Sequence, residues 1–305
     1  MRSDARCYSF SMPRLPQPVA EDDRWTSLFA AAGARSVVQA FRLFRETNIE
    51  PILIKGWAAS RAYPVGHTRI FTDVDLAFDR DDFDRATRIV REAKVSGLAI
   101  DPHNELRHLD TVAWSDLFSN SILVDLEGEK VRVLRDEDHL RVLCVHFLTD
   151  GAWFRERLWD IYYAVDRRRP DFDWSRCLDV VAPNRRRWII CVIGLAHRYL
   201  DLNVESLPFA DEARRMPKWL IESVERQWSG AERLVPLVTV THDRLQMMRQ
   251  LAIRFPPEPI YSTIDMEGSF DSRFRIHYQM GSLVKRSVRS VGKLARGALG
   301  RGFAA

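Results

Sequence analysis

Residues 52–78 constrain this chain most. Two short apolar runs, 52–54 and 70–78, bracket a helix-compatible segment, and the second run carries Asp73 and Asp75. Side chains in a strand alternate faces, so the two aspartates share one face while Val74 and Leu76 share the other. Adjacent carboxylates raise each other's pKa unless a cation sits between them. A hard divalent ion bridged to phosphate oxygens is a common reason to keep such a pair. The first run ends in Lys55-Gly56, where glycine permits a tight turn into a helix starting near Trp57. Helix N-termini bind anions through their free N–H groups. The stretch therefore reads as a site for a metal-bound nucleotide.

Composition narrows the classes further. With 305 residues, 46% hydrophobic and 29% charged, the chain has the profile of a soluble globular protein. No apolar run approaches the roughly 20 residues that cross a bilayer, and the N-terminus lacks the apolar core of a secretory signal. Cys7, Cys144, Cys177 and Cys191 show no metal-type or disulfide spacing. Reduced thiols and a cytoplasmic location are expected. The net charge of +4 is uneven, because six cations and no acid follow residue 280, which leaves 4 − 6 = −2 for residues 1–280. The segment 282–301 interleaves these cations with Val284, Val288, Val291 and Leu294. It fits an anionic membrane surface or an acidic partner, and a peripheral membrane location with it.

Periodicity predicts an irregular leader over 1–20, a helix over 21–48, strands over 52–54 and 70–78, and a helix from the acids at 79–82 to about Lys94. A strand at 98–101 and a hairpin of 121–126 with 130–134 follow. After Leu134 the pattern is mostly helical, with candidates after residues 136 and 151 and over 184–202, 218–228 and 241–254. Residues 256–259 read as a rigid link and 260–275 as irregular. The expected fold class is α+β: a small mixed sheet flanked by helices, then a mostly helical C-terminal region. The expected units are 1–134 with the sheet, 135–255 with helices completing a cleft, and 256–305 as linker and basic tail.

A strand ending in Lys-Gly, a short helix, then Arg and Asp-x-Asp on a second strand resembles the polymerase-beta-like nucleotidyltransferase superfamily. More narrowly, three blocks resemble bacterial nucleotidyltransferase family proteins. The first is Ile54-Lys55-Gly56, Tyr63-Pro64, Arg69 and Asp73-Val74-Asp75-Leu76. The second is Val124-Asp125-Leu126, and the third joins residues 131–134, the acids 136–138, Leu143-Cys144-Val145-His146 and Trp159-Asp160. The chain departs from the pattern at Trp57, where Gly or Ser is usual, and at Glu127, where His is usual.

The resemblance implies transfer of a nucleoside monophosphate from a nucleoside triphosphate such as ATP to an acceptor hydroxyl, with two Mg2+ ions positioned by carboxylates. Asp73, Asp75 and a third carboxylate would be catalytic and metal-binding. Asp125 is the first choice for that third carboxylate, and Asp101, with His103 nearby, is the alternative. Lys55, Gly56 and Ser60 would face the nucleotide. Arg69 would either reach the same phosphates or clamp the turn. His103 reads as an acceptor contact or a structural histidine, and His146 as a buried structural one. The expected acceptor is a small molecule, peptide or glycan. The alternatives are a toxin-like transferase acting on tRNA or protein, and a catalytically silent nucleotide-binding protein.

Overall fold

A computed structural model describes residues 24–95, 97–230, 243–253 and 255–301, so the leader over 1–20 lies outside the described residues. The first half contains α1 (Arg24–Arg45), β1 (Ile52–Leu53), α2 (Trp57–Ser60), β2 (Val74–Phe78), α3 (Phe83–Val95), β3 (Ile100–Asn104), α4 (Trp114–Asn120), β4 (Ile122–Leu126) and β5 (Glu129–Val133). Their strands form one mixed sheet in the order β3-β2-β1-β5-β4. The pairs β2–β3 and β1–β5 are parallel, and β1–β2 and β4–β5 are antiparallel. The α+β fold class read from the pattern is the observed one.

Both faces of the sheet are covered, which is why β1 is apolar throughout. Leu53, Val74, Leu76 and Phe78 pack against Val37, Val38, Phe41 and Phe44 of α1. On the other face Ile52, Ile54 and Ala77 meet Leu106, Leu117, Val142 and Val145. Helix α1 is amphipathic only where it lies on the sheet: Trp25, Leu28 and Phe29, expected on the same stripe, are exposed in its first turns. The second strand is also shorter than expected. Ile70–Asp73 lies outside β2, because the paired residues of β1 reach only Leu76 and Ala77 and β3 begins its pairing at Val74.

The second half contains α5 (Asp136–Thr149), a 3-10 turn (Arg155–Arg157), α6 (Leu158–Asp166), α7 (Trp174–Leu178), α8 (Pro183–Leu200), α9 (Ala210–Arg214), α10 (Lys218–Ser229), α11 (Arg244–Ile253), α12 (Pro259–Asp265) and α13 (Ile276–Arg301). Helix α5 joins the halves. Its Val142 and Val145 face the sheet, while Leu140, Leu143, Cys144 and Phe147 enter the helical core. The helix is buried on both sides, and its stripe of Leu140, Cys144, Phe147 and Leu148 is the half that enters the helical core. Residues 260–275, expected to be irregular, include most of α12: Pro259 opens the helix, Glu258 caps it, and Ile260, Ile264 and Phe270 are core residues.

A buried ionic network fixes the connection after β3. Arg141, 1% exposed, holds Asp110 at 2.8 Å and Asp138 at 2.6 Å, and Arg176 holds Asp138 at 2.7 Å. Arg185 from α8 donates to the His108 carbonyl at 3.0 Å. The loop between β3 and α4 is thereby tied to both α5 and α8.

Candidate active site

Parallel pairing of β2 with β3 sets Asp75 opposite Asp101 and Ala77 opposite His103. Since Asp101 and His103 are two residues apart, they share the face that carries Asp75. Nε2 of His103 lies 3.2 Å from Asp75 Oδ1 and 3.0 Å from Asp101 Oδ2. Lys55 follows β1 and sets its Nζ 2.5 Å from Asp75 Oδ1. Asp75, His103 and Lys55 are buried, and the Asp101 carboxylate is half-exposed.

The electrostatics follow from this packing. Burial works against the Asp75 carboxylate, but the His103 hydrogen bond and the Lys55 charge outweigh it and hold its pKa below the ordinary value. The same histidine is the main cause that lowers Asp101. His103 is itself raised, because its bonds to Asp101 and Asp75 overcome the burial that opposes its charge. Asp73, just ahead of β2, is raised by partial burial and by the Asp75 charge. Lys55 thus supplies positive charge, and Nε2 of His103 a hydrogen-bonding group, between carboxylates that would otherwise repel.

Asp75, Asp101 and His103 each offer a donor atom, all within 4.8 Å of one another. Two carboxylates facing one another across adjacent strands, with Asp73 beside them, suit a hard divalent ion, and the imidazole also admits a borderline one. His103 Nδ1 is buried without a hydrogen-bond partner among the described residues, as expected when Nε2–H points at the carboxylates.

Two chambers flank this cluster. The first, 710 Å³, is lined by Lys55, Gly56, Asp73 and Asp75 together with Phe154, Arg155 and Arg157. The second, 460 Å³, is lined by Asp101, His103, Arg107 and His108 from the sheet side and by Tyr261 and Lys285 from α12 and α13. Lys55 and His146 line both. Burial, aided by the Lys55 and Arg157 charges, pushes His146 down to about 3, so it is neutral and its Nε2 accepts from Arg157 at 2.9 Å. His146, expected to be only structural, therefore stands in the partition between the chambers.

The other sequence candidates separate clearly. Gly56 has φ 54°, and a Cβ there would meet the Phe71 ring at 3.3 Å, so this turn requires glycine. The expected anion site at the start of α2 is reduced, because Ala58, Ala59 and Ser60 use their N–H groups on the Lys55 and Gly56 carbonyls. Ser60 turns its hydroxyl back to the Trp57 carbonyl at 2.7 Å and does not line either chamber. Arg69 lines the first chamber but is committed to Asp160, bidentate at 2.6 and 2.9 Å, with Tyr63 Oη 2.8 Å from the same carboxylate. Of the two roles weighed for Arg69, this geometry is the clamp, and it ties the turn before β2 to α6.

Asp125 is not brought to the cluster. It lies on β4 at the opposite edge of the sheet, three strand spacings from β2, or roughly 14 Å. Its exposed carboxylate accepts from Gly128 N at 3.2 Å and pairs with Lys130 at 3.3 Å. Asp101 occupies the place expected for Asp125. The signal was the alternation Asp101-Pro102-His103, which repeats the Asp73-Val74-Asp75 spacing. Arg157 was missed, because the 3-10 turn that carries it has no periodicity of its own.

No curated protein and no solved structure gives a significant match to this chain. A family model described as an uncharacterised nucleotidyltransferase matches residues 14–97. That span holds Lys55, Gly56, Arg69, Asp73 and Asp75 and ends before Asp101 and His103. The match supports a nucleotidyltransferase family for this part of the chain, and with it an enzyme that transfers phosphorus-containing groups.

Proposed function

We propose that the protein is a metal-dependent nucleotidyltransferase that moves a nucleoside monophosphate from a nucleoside triphosphate to a hydroxyl of a small acceptor in a biosynthetic pathway. The observation that carries this reading is the Asp75–Asp101–His103 cluster standing between two chambers, with Asp73 beside it. Asp73, Asp75 and Asp101 would hold Mg2+, which when bound neutralises phosphate charge and activates the attacking oxygen. Lys55 and Arg157, which both line the first chamber, would face the triphosphate. Gly56 allows the close approach of backbone, and Phe154 offers an apolar surface for the base. Asp160 holds Arg69, and so fixes the turn that presents Asp73. Titration of ATP, GTP, CTP and UTP with Mg2+ into the full chain tests the reading. One of them is expected to bind, with loss of binding in Asp73→Ala/Asp75→Ala, and absence of binding by all would refute it.

The chambers favour a small acceptor over the tRNA or protein target of a toxin-like transferase, since 460 and 710 Å³ are small-molecule volumes. Incubation with labelled nucleotide and bulk tRNA separates the two, because only the toxin-like reading predicts labelled RNA. If the Asp73→Ala/Asp75→Ala protein kept full cellular function, the catalytically silent reading would replace both.

No helix among the described residues is long and apolar enough to cross a membrane. Helix α13 nevertheless presents an unusual face. Ile276, Met280, Val284 and Val288 are exposed at spacings of four. Gln279 and Ser282 on the other face dock on Pro257 and Asp265 at 2.6 and 2.8 Å. Segment 282–301 fits peripheral contact with an anionic membrane surface. Co-sedimentation with vesicles containing phosphatidylglycerol, lost in Val284→Glu/Val288→Glu, is the expected result. Equal binding to neutral vesicles would argue against it.

A further inference from the structure

The ion pairs around the second chamber leave out one of the cations that line it. Asp101 pairs with His103 at 3.0 Å, Asp265 with Lys285 at 2.9 Å, Glu267 with Arg185 at 2.5 Å, and Lys55 with Asp75 at 2.5 Å. Asp150 pairs with Arg157. Arg107 has no ion pair among the described residues. Its guanidinium donates to the neutral Pro102 carbonyl at 2.7 Å, which draws it back across the strand residue between Asp101 and His103. The chamber wall therefore carries, near the carboxylate cluster, a guanidinium that belongs to no ion pair among the described residues.

The backbone that carries Arg107 is unusual as well. Glu105 and Arg107 adopt left-handed conformations, with φ 48° and 51°, although neither is glycine. Such residues are strained and persist where the surroundings over-determine them. Here the surroundings are the buried Asp110–Arg141 pair and the Arg185 bond to the His108 carbonyl. A rigid loop thus holds an exposed, unpaired arginine at the wall of a chamber of small-molecule size.

We propose that the second chamber binds the acceptor, that the acceptor is a small hydroxyl-bearing molecule with a phosphate or carboxylate group, and that Arg107 holds that anionic group. The proposal rests on the nucleotidyltransferase reading and adds the acceptor's side of the cluster and its chemical class. A guanidinium presents paired donors that match either oxyanion. With its anion on Arg107, the acceptor directs its hydroxyl toward Asp101. The hydroxyl oxygen forms a bond to the α-phosphorus as the bond from that phosphorus to the pyrophosphate oxygen breaks. Pyrophosphate leaves with the bonding electron pair, and the hydroxyl proton passes to Asp101. A neutral or cationic acceptor would leave Arg107 unpaired.

The test titrates inorganic phosphate, and separately succinate, into the full chain saturated with Mg2+ and the nucleotide that binds it, so that the first chamber is blocked. Wild type, Arg107→Ala and Arg107→Lys are compared. The expected result is that at least one of the two anions binds, about tenfold or more weakly in Arg107→Ala and within about threefold of wild type in Arg107→Lys. Nucleotide affinity should be unchanged in both variants. Anion binding that is absent, or that is equal in Arg107→Ala, overturns the acceptor assignment while nucleotide binding stands. Failure of every nucleotide to bind refutes the underlying reading instead.

Discussion

The tripeptide Val-Asp-Leu occurs in two five-residue strands, as Val74-Asp75-Leu76 in β2 and Val124-Asp125-Leu126 in β4. In β2 the strand lies between β1 and β3, so Asp75 is buried and meets Lys55 and His103. In β4 the strand is an edge, paired among the described residues with β5 alone, and the Asp125 carboxylate is 57% exposed. The same local sequence thus yields a charge centre in one place and a hairpin-end carboxylate in the other. What separates them is the number of neighbouring strands and what those neighbours carry, which no window of a few residues contains.

Breaking the buried member should have the largest effect. Asp75→Asn is expected to lower nucleotidyl transfer by about a thousandfold or more, or about 4 kcal/mol of transition-state stabilisation, in a steady-state assay with the nucleotide found by titration. Asp125→Asn should stay within about twofold in the same assay. A further contrast lies between ionic networks. Arg141→Ala leaves Asp110 buried without its cation and Asp138 with Arg176 alone, and should cost about 3–5 kcal/mol in denaturant unfolding. Lys130→Ala removes an exposed pair at the β4–β5 hairpin and should cost under about 1 kcal/mol.

A buried histidine sharpens the same contrast through pH. His139 lies on α5 with Nε2 3.0 Å from the Ile54 carbonyl, and burial followed by the Arg61 charge pushes its pKa down to about 4. A histidine lowered on folding is neutral in the native state and takes up its proton more readily when unfolded. Its contribution is fully present above about pH 6.5 and is lost as pH falls toward about 4, on the order of 3 kcal/mol in all. Unfolding midpoints measured across that window should fall with pH, and the slope should be shallower in His139→Gln. Rim pairs such as Lys218–Glu222, 3.6 Å apart on α10, should add almost nothing, and Lys218→Ala should move the midpoint by less than about 1 °C.

Much of this was legible in the sequence, and for identifiable reasons. Strong local signals gave the α+β class, the Lys55-Gly56 turn, and the hairpin around Glu127-Gly128-Glu129. Asp73 and Asp75 were visible as a pair, although only Asp75 lies within β2. The partner carboxylate was not legible, because choosing between Asp101 and Asp125 requires the order β3-β2-β1-β5-β4, and parallel pairing of β2 with β3 depends on the crossover through α3. The role of Arg69 was equally hidden: its partner Asp160 lies 91 residues away on α6. Helices α4, α7 and α9 were missed since each is seven residues or fewer and shows no full apolar period. Helix α12 escaped notice because its prolines read as a link, whereas Pro259 at the first turn and Glu258 as its cap are signals for a helix start.

The central claim is that the metal-and-nucleotide site lies at the junction of β2 and β3 rather than toward β4. Binding of Mn2+ followed by electron paramagnetic resonance, with nucleotide present, measures this without knowledge of the acceptor. Asp101→Asn is predicted to weaken or abolish at least one Mn2+ site, with Asp125→Asn indistinguishable from wild type. Loss of Mn2+ binding in Asp125→Asn, with Asp101→Asn unaffected, would contradict the account.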